Sequence, residues 1–377
     1  MVKTLKRAVA SLLAIAMLGS FTACSADKSW AMKTESLTAP IGTYIYYLYV
    51  AYQSGSASVK DTSKPVLDQE IDGQKAEAWI KDKALTYTKE LFVLDDRMKE
   101  LKLSLTADET KTISQSTDAQ WDQASATLEK YGVSKNSFNL AFSEFQTKYQ
   151  KIFFATYGKG GPKAVSDADL KSYFEKNYAD FNMMFAPLYA TDTSGKSNAL
   201  TADETAALKK KFDGYAADVT SGKTTLRKAA DEYKTSAKLD TDPYQSATEP
   251  INGSSGLSAE MVTLIKNLKN GEAKSVEMDG AYYILQKNDI TQKTATQIGT
   301  EEGRNSIIAQ MKATEFSEYM EKTAKEYTKA TINQPALDSY KPSLFVTPAV
   351  SSAAPVPQVS ETPETSSAAS AASTASK

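Results

Sequence analysis

Residues 257–287 read LSAEMVTLIKNLKNGEAKSVEMDGAYYILQK, and this stretch decides the expected fold. Its first part predicts a helix over Leu257–Leu268. Gly271-Glu272 turns the chain, and Ser275–Met278 and Tyr282–Gln286 follow as the arms of a hairpin around Asp279-Gly280. An Asp-Gly pair between apolar runs is a strong local signal for a two-residue turn. Upstream, Leu239–Gly256 contains Pro243, Pro250, Gly253 and Gly256 and is expected to be irregular. Leu226–Tyr233 and Lys209–Val219 are expected helices, the second continuing from a Thr-Ala-Asp-Glu cap at Thr201. Phe181–Ala190, FNMMFAPLYA, reads as a buried strand interrupted by Pro187. Ser166-Asp-Ala-Asp169 caps a short helix with Leu170, Tyr173 and Phe174 on its inner side. Strand, two helices, loop, helix and hairpin together describe a small α+β module.

The flanks of this module read as helical. Ile41–Gln53 is rich in Tyr and starts after Pro40. Asp72–Leu101 places Trp79, Ile80, Ala84, Tyr87, Leu91, Leu94, Met98 and Leu101 at three-four spacing. Thr106-Ala-Asp-Glu109 is a capping box, and Gly132 is a C-cap for the helix that follows. Ser134–Tyr157 carries Phe138, Phe142, Phe145, Tyr149 and Ile152 on one stripe, and Gly158–Pro162 breaks the pattern. Packing a helical bundle is what such stripes ordinarily serve; an apolar cradle for unfolded chains is the functional alternative. Glu301–Tyr327 is a long amphipathic helix with Ile307, Ile308, Met311, Phe316, Tyr319, Met320 and Tyr327 on its apolar side. A helix of this kind beyond an inserted module is expected to pack back on the first helical region, which makes that domain discontinuous.

Both ends have a distinct character. Met1–Arg7 is basic, and Ala8–Leu18 is an apolar run too short to span a bilayer. Gly19-Ser-Phe-Thr-Ala-Cys24 then resembles the lipobox of bacterial lipoproteins, with Phe21 in place of the usual Leu. The resemblance implies lipidation at Cys24 and a chain held outside the cytoplasm on the bacterial cell membrane. Cys24 is the only cysteine, so it has no disulfide partner within the chain. From Pro342 to Lys377 the chain is dominated by Ser, Ala, Pro and Thr, and this tail is expected to be disordered.

Composition excludes whole classes of chemistry. The 377 residues are 41% hydrophobic and 24% charged, as in a folded protein of about two domains. Net charge is −2, and loss of Lys3, Lys6 and Arg7 with the leader takes it to −5, so no nucleic-acid footprint is expected. Histidine is absent. A His/Cys metal site, a Ser-His-Asp triad and a Cys-His pair are therefore impossible. Asp240, Asp242 and Glu249 lack the glycine and terminal Glu of an EF-hand, and Gly158–Gly161 lacks P-loop spacing. No metal and no cofactor are expected, and no carboxylate pair stands out for glycosidase chemistry.

The layout resembles the PrsA/SurA-type extracytoplasmic foldases, in which a discontinuous helical chaperone domain is interrupted by a parvulin-like rotamase module. SDADLKSYFEKNYADF at Ser166–Phe181 and TLRKAADEY at Thr225–Tyr233 are similar to the module's helices. Leu268, Gly271 and Glu272 match its L-x-x-G-E turn, and GAYYILQK at Gly280–Lys287 matches its last strand. The resemblance implies a leader at 1–23, a helical chaperone domain at 24–165, a parvulin-like module at 166–292, a returning segment at 293–341 and a tail at 342–377. It implies newly exported or unfolded polypeptides as partners, and the membrane through the anchor. The family's two strand histidines fall on Met184 and Tyr283, while Leu257 and Met261 stand where the family lines its proline pocket. Met184, Leu257, Met261 and Tyr283 are thus the peptide-groove candidates, with no catalytic residue among them. Rotation about a peptide bond faces a barrier of about 18–20 kcal/mol; an apolar pocket lowers it without a covalent step. A degenerate module that binds peptides is the economical expectation. An active peptidyl-prolyl isomerase of the same layout and a solute-binding lipoprotein of a transporter are the alternatives.

Overall fold

The computed structural model describes residues 27, 29–191, 196–253 and 255–346. The leader, Cys24 and the tail beyond residue 346 lie outside the described residues. In chain order, β1 (Trp30–Lys33) and β2 (Thr38–Pro40) lead into α1 (Ile41–Ser58), and a ribbon of β3 (Glu70–Ile71) and β4 (Gln74–Lys75) into α2 (Ala76–Glu100). Helices α3 (Ala107–Leu128), α4 (Lys135–Asn139), α5 (Phe145–Tyr157) and α6 (Asp167–Asn177) follow. Next come β5 (Tyr178–Pro187), β6 (Tyr189–Thr191), β7 (Ser197–Ala199), α7 (Ala202–Thr220), α8 (Leu226–Ala237), β8 (Tyr244–Pro250), α9 (Ala259–Asn267), β9 (Ala273–Met278) and β10 (Ala281–Lys287). The chain continues through α10 (Thr291–Gly299), α11 (Glu301–Lys325), β11 (Thr331–Ile332) and α12 (Gln334–Asp338). Helices dominate, and every described strand pair is antiparallel.

Most helices share one core. Ile45 and Leu48 of α1, Leu91 and Leu94 of α2, Ile152 of α5, and Ile307, Phe316 and Met320 of α11 are all buried in it. Phe316 is the aromatic hub, with ring centroids 4.7 Å from Tyr149 and 5.4 Å from Phe153. Lys83 of α2 donates to Glu321 of α11 at 2.7 Å. β1 pairs on one side with β2 and on the other with β11, so the two ends of the helical body meet in one sheet. Asp27 joins the starts of two helices. Its Oδ1 accepts from the Gly42 amide at 3.2 Å and from Ser137 Oγ at 2.8 Å, and its Oδ2 accepts from Ser134 Oγ. A carboxylate there complements the positive ends of α1 and α4. Gly42 is required by this contact, since a Cβ would stand 2.5 Å from Asp27 Oδ1.

Several local readings meet the structure directly. Thr106 and Thr201 both form full capping boxes. Gly132 closes its helix at φ 90°. Asp279 (φ 48°) and Gly280 (φ 74°) make the two-residue hairpin between β9 and β10. Others differ. Ser134–Tyr157 is not a uniform helix, because residues 140–144 take a π-helical turn. The Ala141 carbonyl in that turn accepts from the buried Tyr47 hydroxyl at 3.0 Å. The stretch expected to be irregular contains β8, an edge strand bounded by Pro243 and Pro250, where proline is tolerated. α6, read as the head of the small module, buries Leu170 and Phe174 in the helical core. The low-complexity segment expected from Pro342 begins with an ordered 3-10 turn, Pro342–Phe345, whose Phe345 is buried.

Among the described residues of these helices, one carboxyl is buried. Glu90 of α2 is 8% exposed. Burial first, and then Glu321, push its carboxyl up to about 7, with Lys83 opposing. Tyr47 and Tyr149 feel its charge from α1 and α5. A carboxyl whose folded pKa is raised keeps its proton longer in the folded state, so stability falls as pH rises from about 4.5 to about 7. Glu90→Gln is expected to leave stability unchanged near pH 4.5 and to raise it by roughly 2–3 kcal/mol above pH 7.5. Urea unfolding of both chains at the two pH values measures this.

Candidate functional site

The four-stranded sheet has the order β8-β5-β10-β9 and carries an apolar layer on each face. Strand side chains alternate, so neighbours in sequence enter opposite layers. Met184 and Ala186 of β5 and Tyr282 and Ile284 of β10 pack with Phe212 of α7 and Leu226 of α8. Ala179 and Phe181 of β5 and Leu285 of β10 pack with Met261 and Ile265 of α9 and with Leu268 just after it.

The second layer is only partly closed. Leu257, Met183, Val276, Ala247 and Tyr283 are half-buried at its margin. Tyr283 stacks on Phe185, its direct partner across β5 and β10, at a centroid distance of 5.9 Å and an interplanar angle of 30°. Phe185 is itself half-buried. The Ser258 hydroxyl caps α9 by accepting from the Met261 amide at 3.2 Å. That cap fixes where Leu257 and Met261 stand relative to the sheet. On the outer flank of α9 a shallow depression of about 520 Å³ runs past Glu260, Leu264, Lys274 and Val276. Met183, Phe185, Ala247, Val276 and Tyr283 bring no carboxylate, amine or imidazole to the open face.

Three of the four groove candidates therefore belong to one layer: Leu257, Met261 and Tyr283. Met184 does not join them. It is fully buried in the opposite layer and pairs with Ile284. Met184 and Phe185 are neighbours on β5, and one residue of strand register moves a side chain to the other face. Phe185 stands opposite Tyr283 instead, and the period-two pattern of FNMMFAPLYA combined with the hairpin register was the signal that identifies it.

The other face holds a polar cluster that sequence reasoning missed. Asp180 is 4% exposed, and its Oδ1 accepts from Thr248 Oγ1 at 2.6 Å and its Oδ2 from Asn288 Nδ2 at 2.9 Å. The Tyr244 hydroxyl donates to Asn182 Oδ1 at 2.9 Å. These bonds satisfy buried polar groups and fasten β8 to β5. Neither face offers a nucleophile activated by a base; the open face offers apolar contact.

No family model and no curated protein matches the chain. Solved structures give distant likenesses. The foldase protein PrsA from Lactococcus lactis is 16% identical, with 84% of this chain and 98% of that chain covered and a TM-score of 0.35. The foldase protein PrsA from Streptococcus pneumoniae is 10% identical, with 72% and 96% covered and a TM-score of 0.39. PrsA from Bacillus subtilis is 17% identical, with 80% and 93% covered and a TM-score of 0.28. Among the described residues no helix is long and apolar enough to cross a membrane.

The two layers make different demands on stability. Met184→Ala is expected to cost roughly 2–4 kcal/mol, as for a fully buried methionine. Leu257→Ala at the open margin is expected to cost under about 1 kcal/mol. Chemical denaturation of the two variants against the parent chain gives both values.

Proposed function

We propose that this protein is an extracytoplasmic foldase or chaperone that binds unfolded, exported polypeptides, held to the cell membrane by a lipid on Cys24. The observation that carries the reading is the half-open apolar strip formed by Phe185, Tyr283, Leu257 and Met261 between the sheet and α9. An extended peptide presents side chains alternately, and such a strip accepts the apolar ones while leaving its backbone accessible. Aromatic and Met side chains suit varied partners, since they cover large areas and adapt in shape. The resemblance of residues 166–287 to the parvulin-like module supports the same reading.

In this proposal the small module, begun by β5 and ended by β10, is the peptide-binding part, and the helical body that packs α11 against α2 is the scaffold. The strip lacks imidazoles, so isomerisation through a precise hydrogen-bonded floor is not available to it. Desolvation in an apolar groove remains as the only source of acceleration. The reading is thus of a binding module of parvulin type with a degenerate isomerase centre.

The chain is expected to suppress aggregation of a reduced, denatured substrate without accelerating a proline-limited refolding phase. Tyr283→Ala is expected to weaken peptide affinity about tenfold, the loss of one well-packed aromatic anchor, and to leave any isomerase rate unchanged. Light scattering, refolding kinetics and fluorescence anisotropy read the three quantities. Unaltered peptide affinity in Tyr283→Ala would remove the strip from the site, and a bare Cys24 thiol in the native protein by mass spectrometry would remove the anchor.

A further inference from the structure

A cluster of aromatic rings on the helical body surrounds one residue close to the end of the described chain. Phe345 is 5% exposed. Its ring lies edge-on to Tyr131 at 4.8 Å and to Tyr49 at 5.4 Å, and is tilted against Tyr52 at 5.7 Å. Tyr49 and Tyr52 come from α1, and Tyr131 from the 3-10 turn after α3. Three half-buried tyrosines thus surround one phenylalanine.

The segment that delivers Phe345 is held by side-chain packing. Its backbone hydrogen bonds, from the Leu344 amide to the Lys341 carbonyl at 3.0 Å and from the Val346 amide to the Ser343 carbonyl at 3.3 Å, are internal to the turn. Pro342 is the only other buried residue of the turn. Leu344 and Val346, on either side of Phe345, are 40% and 43% exposed, and only Tyr189 joins them as a large exposed apolar side chain among the described residues. Residues 347–377 contain no aromatic residue. A short apolar tripeptide centred on a phenylalanine, without a backbone ladder to its neighbours, has the chemistry of an unfolded polypeptide segment.

We propose that Tyr49, Tyr52 and Tyr131 form a socket for an aromatic side chain of an extended apolar polypeptide, and that Phe345 occupies this socket in cis. Recognition is by ring packing, which tolerates many flanking sequences. The cis occupant lowers the apparent affinity for any incoming segment by the fraction of molecules whose socket is empty. Clients rich in Phe compete with Leu344-Phe345-Val346, and the socket opens as they bind. The inference rests on the reading that the chain binds unfolded polypeptides, but the socket uses none of the residues of the sheet groove, so the failure of either site is distinguishable from that of the other.

The probe is a labelled peptide of residues 341–346, Lys-Pro-Ser-Leu-Phe-Val, titrated by fluorescence anisotropy against the full chain. Phe345→Ala is expected to bind it about tenfold tighter than the parent chain, because the competing ring is gone. Adding Tyr131→Ala is expected to abolish that gain, whereas adding Tyr283→Ala leaves it intact. Equal affinity in the parent chain and Phe345→Ala, with both folded by circular dichroism, overturns the proposal. So does a concentration-dependent dimer that Phe345→Ala dissolves, since the socket then serves a second copy. A measurement without substitution covers failure of the variant to fold. Reduced, carboxymethylated lactalbumin added to the parent chain must speed hydrogen exchange in residues 340–346 and slow it in residues 49–52; unchanged exchange in both overturns the proposal.

Discussion

β5 runs antiparallel between β8 and β10, and its side chains divide between two apolar layers. That alternation governs the candidate site. It sends Met184 into a closed core under α7 and α8, and leaves Phe185 to meet Tyr283 on the side that α9 covers only in part. The same strand holds the edge strand β8 through Asp180 and Asn182, whose buried polar atoms are satisfied by Thr248, Asn288 and Tyr244. A shift of one residue in β5 would bury the wrong ring and strand these polar groups together, so the register is defended by both layers.

Local chemistry was legible in the sequence where it acts within one turn of chain. Thr-Ala-Asp-Glu occurs twice and caps a helix twice, since the carboxylate and hydroxyl satisfy each other's amides without help from elsewhere. Asp279-Gly280 turns the hairpin because both positions take positive φ. Features settled by distant contacts were not legible. β8 has a polar sequence between prolines and exists because β5 offers it a partner. The π turn in the Phe-rich helix goes with a hydroxyl from Tyr47, 94 residues away. Phe345 looks like the beginning of a low-complexity tail until α1 supplies its surroundings. Leu257 ahead of α9, Met261 within it and Tyr283 of β10 share one apolar layer, whereas which of Met184 and Phe185 faces that layer required the pairing register.

Within the helical body, distant partners compensate some of the polar groups that the packing encloses. Asp27 is useful because two helix starts converge on it, and Gly42 leaves room for that approach. Lys83 is neutralised across the α2–α11 seam by Glu321. Glu90 has only desolvation and a partial counter-charge, and it is the carboxyl in this seam whose proton affinity rises furthest toward neutrality. The apolar seam therefore dominates the association of these helices, with ion pairs setting their alignment.

The sandwiching of β1 between β2 and β11 has a topological consequence. Residues near both termini of the body are laced together, so everything from α1 to α11 forms a closed loop of chain. A single proteolytic nick at an exposed bend, such as that at Gly222 between α7 and α8, opens the loop without parting it. Both fragments then still share the same small sheet.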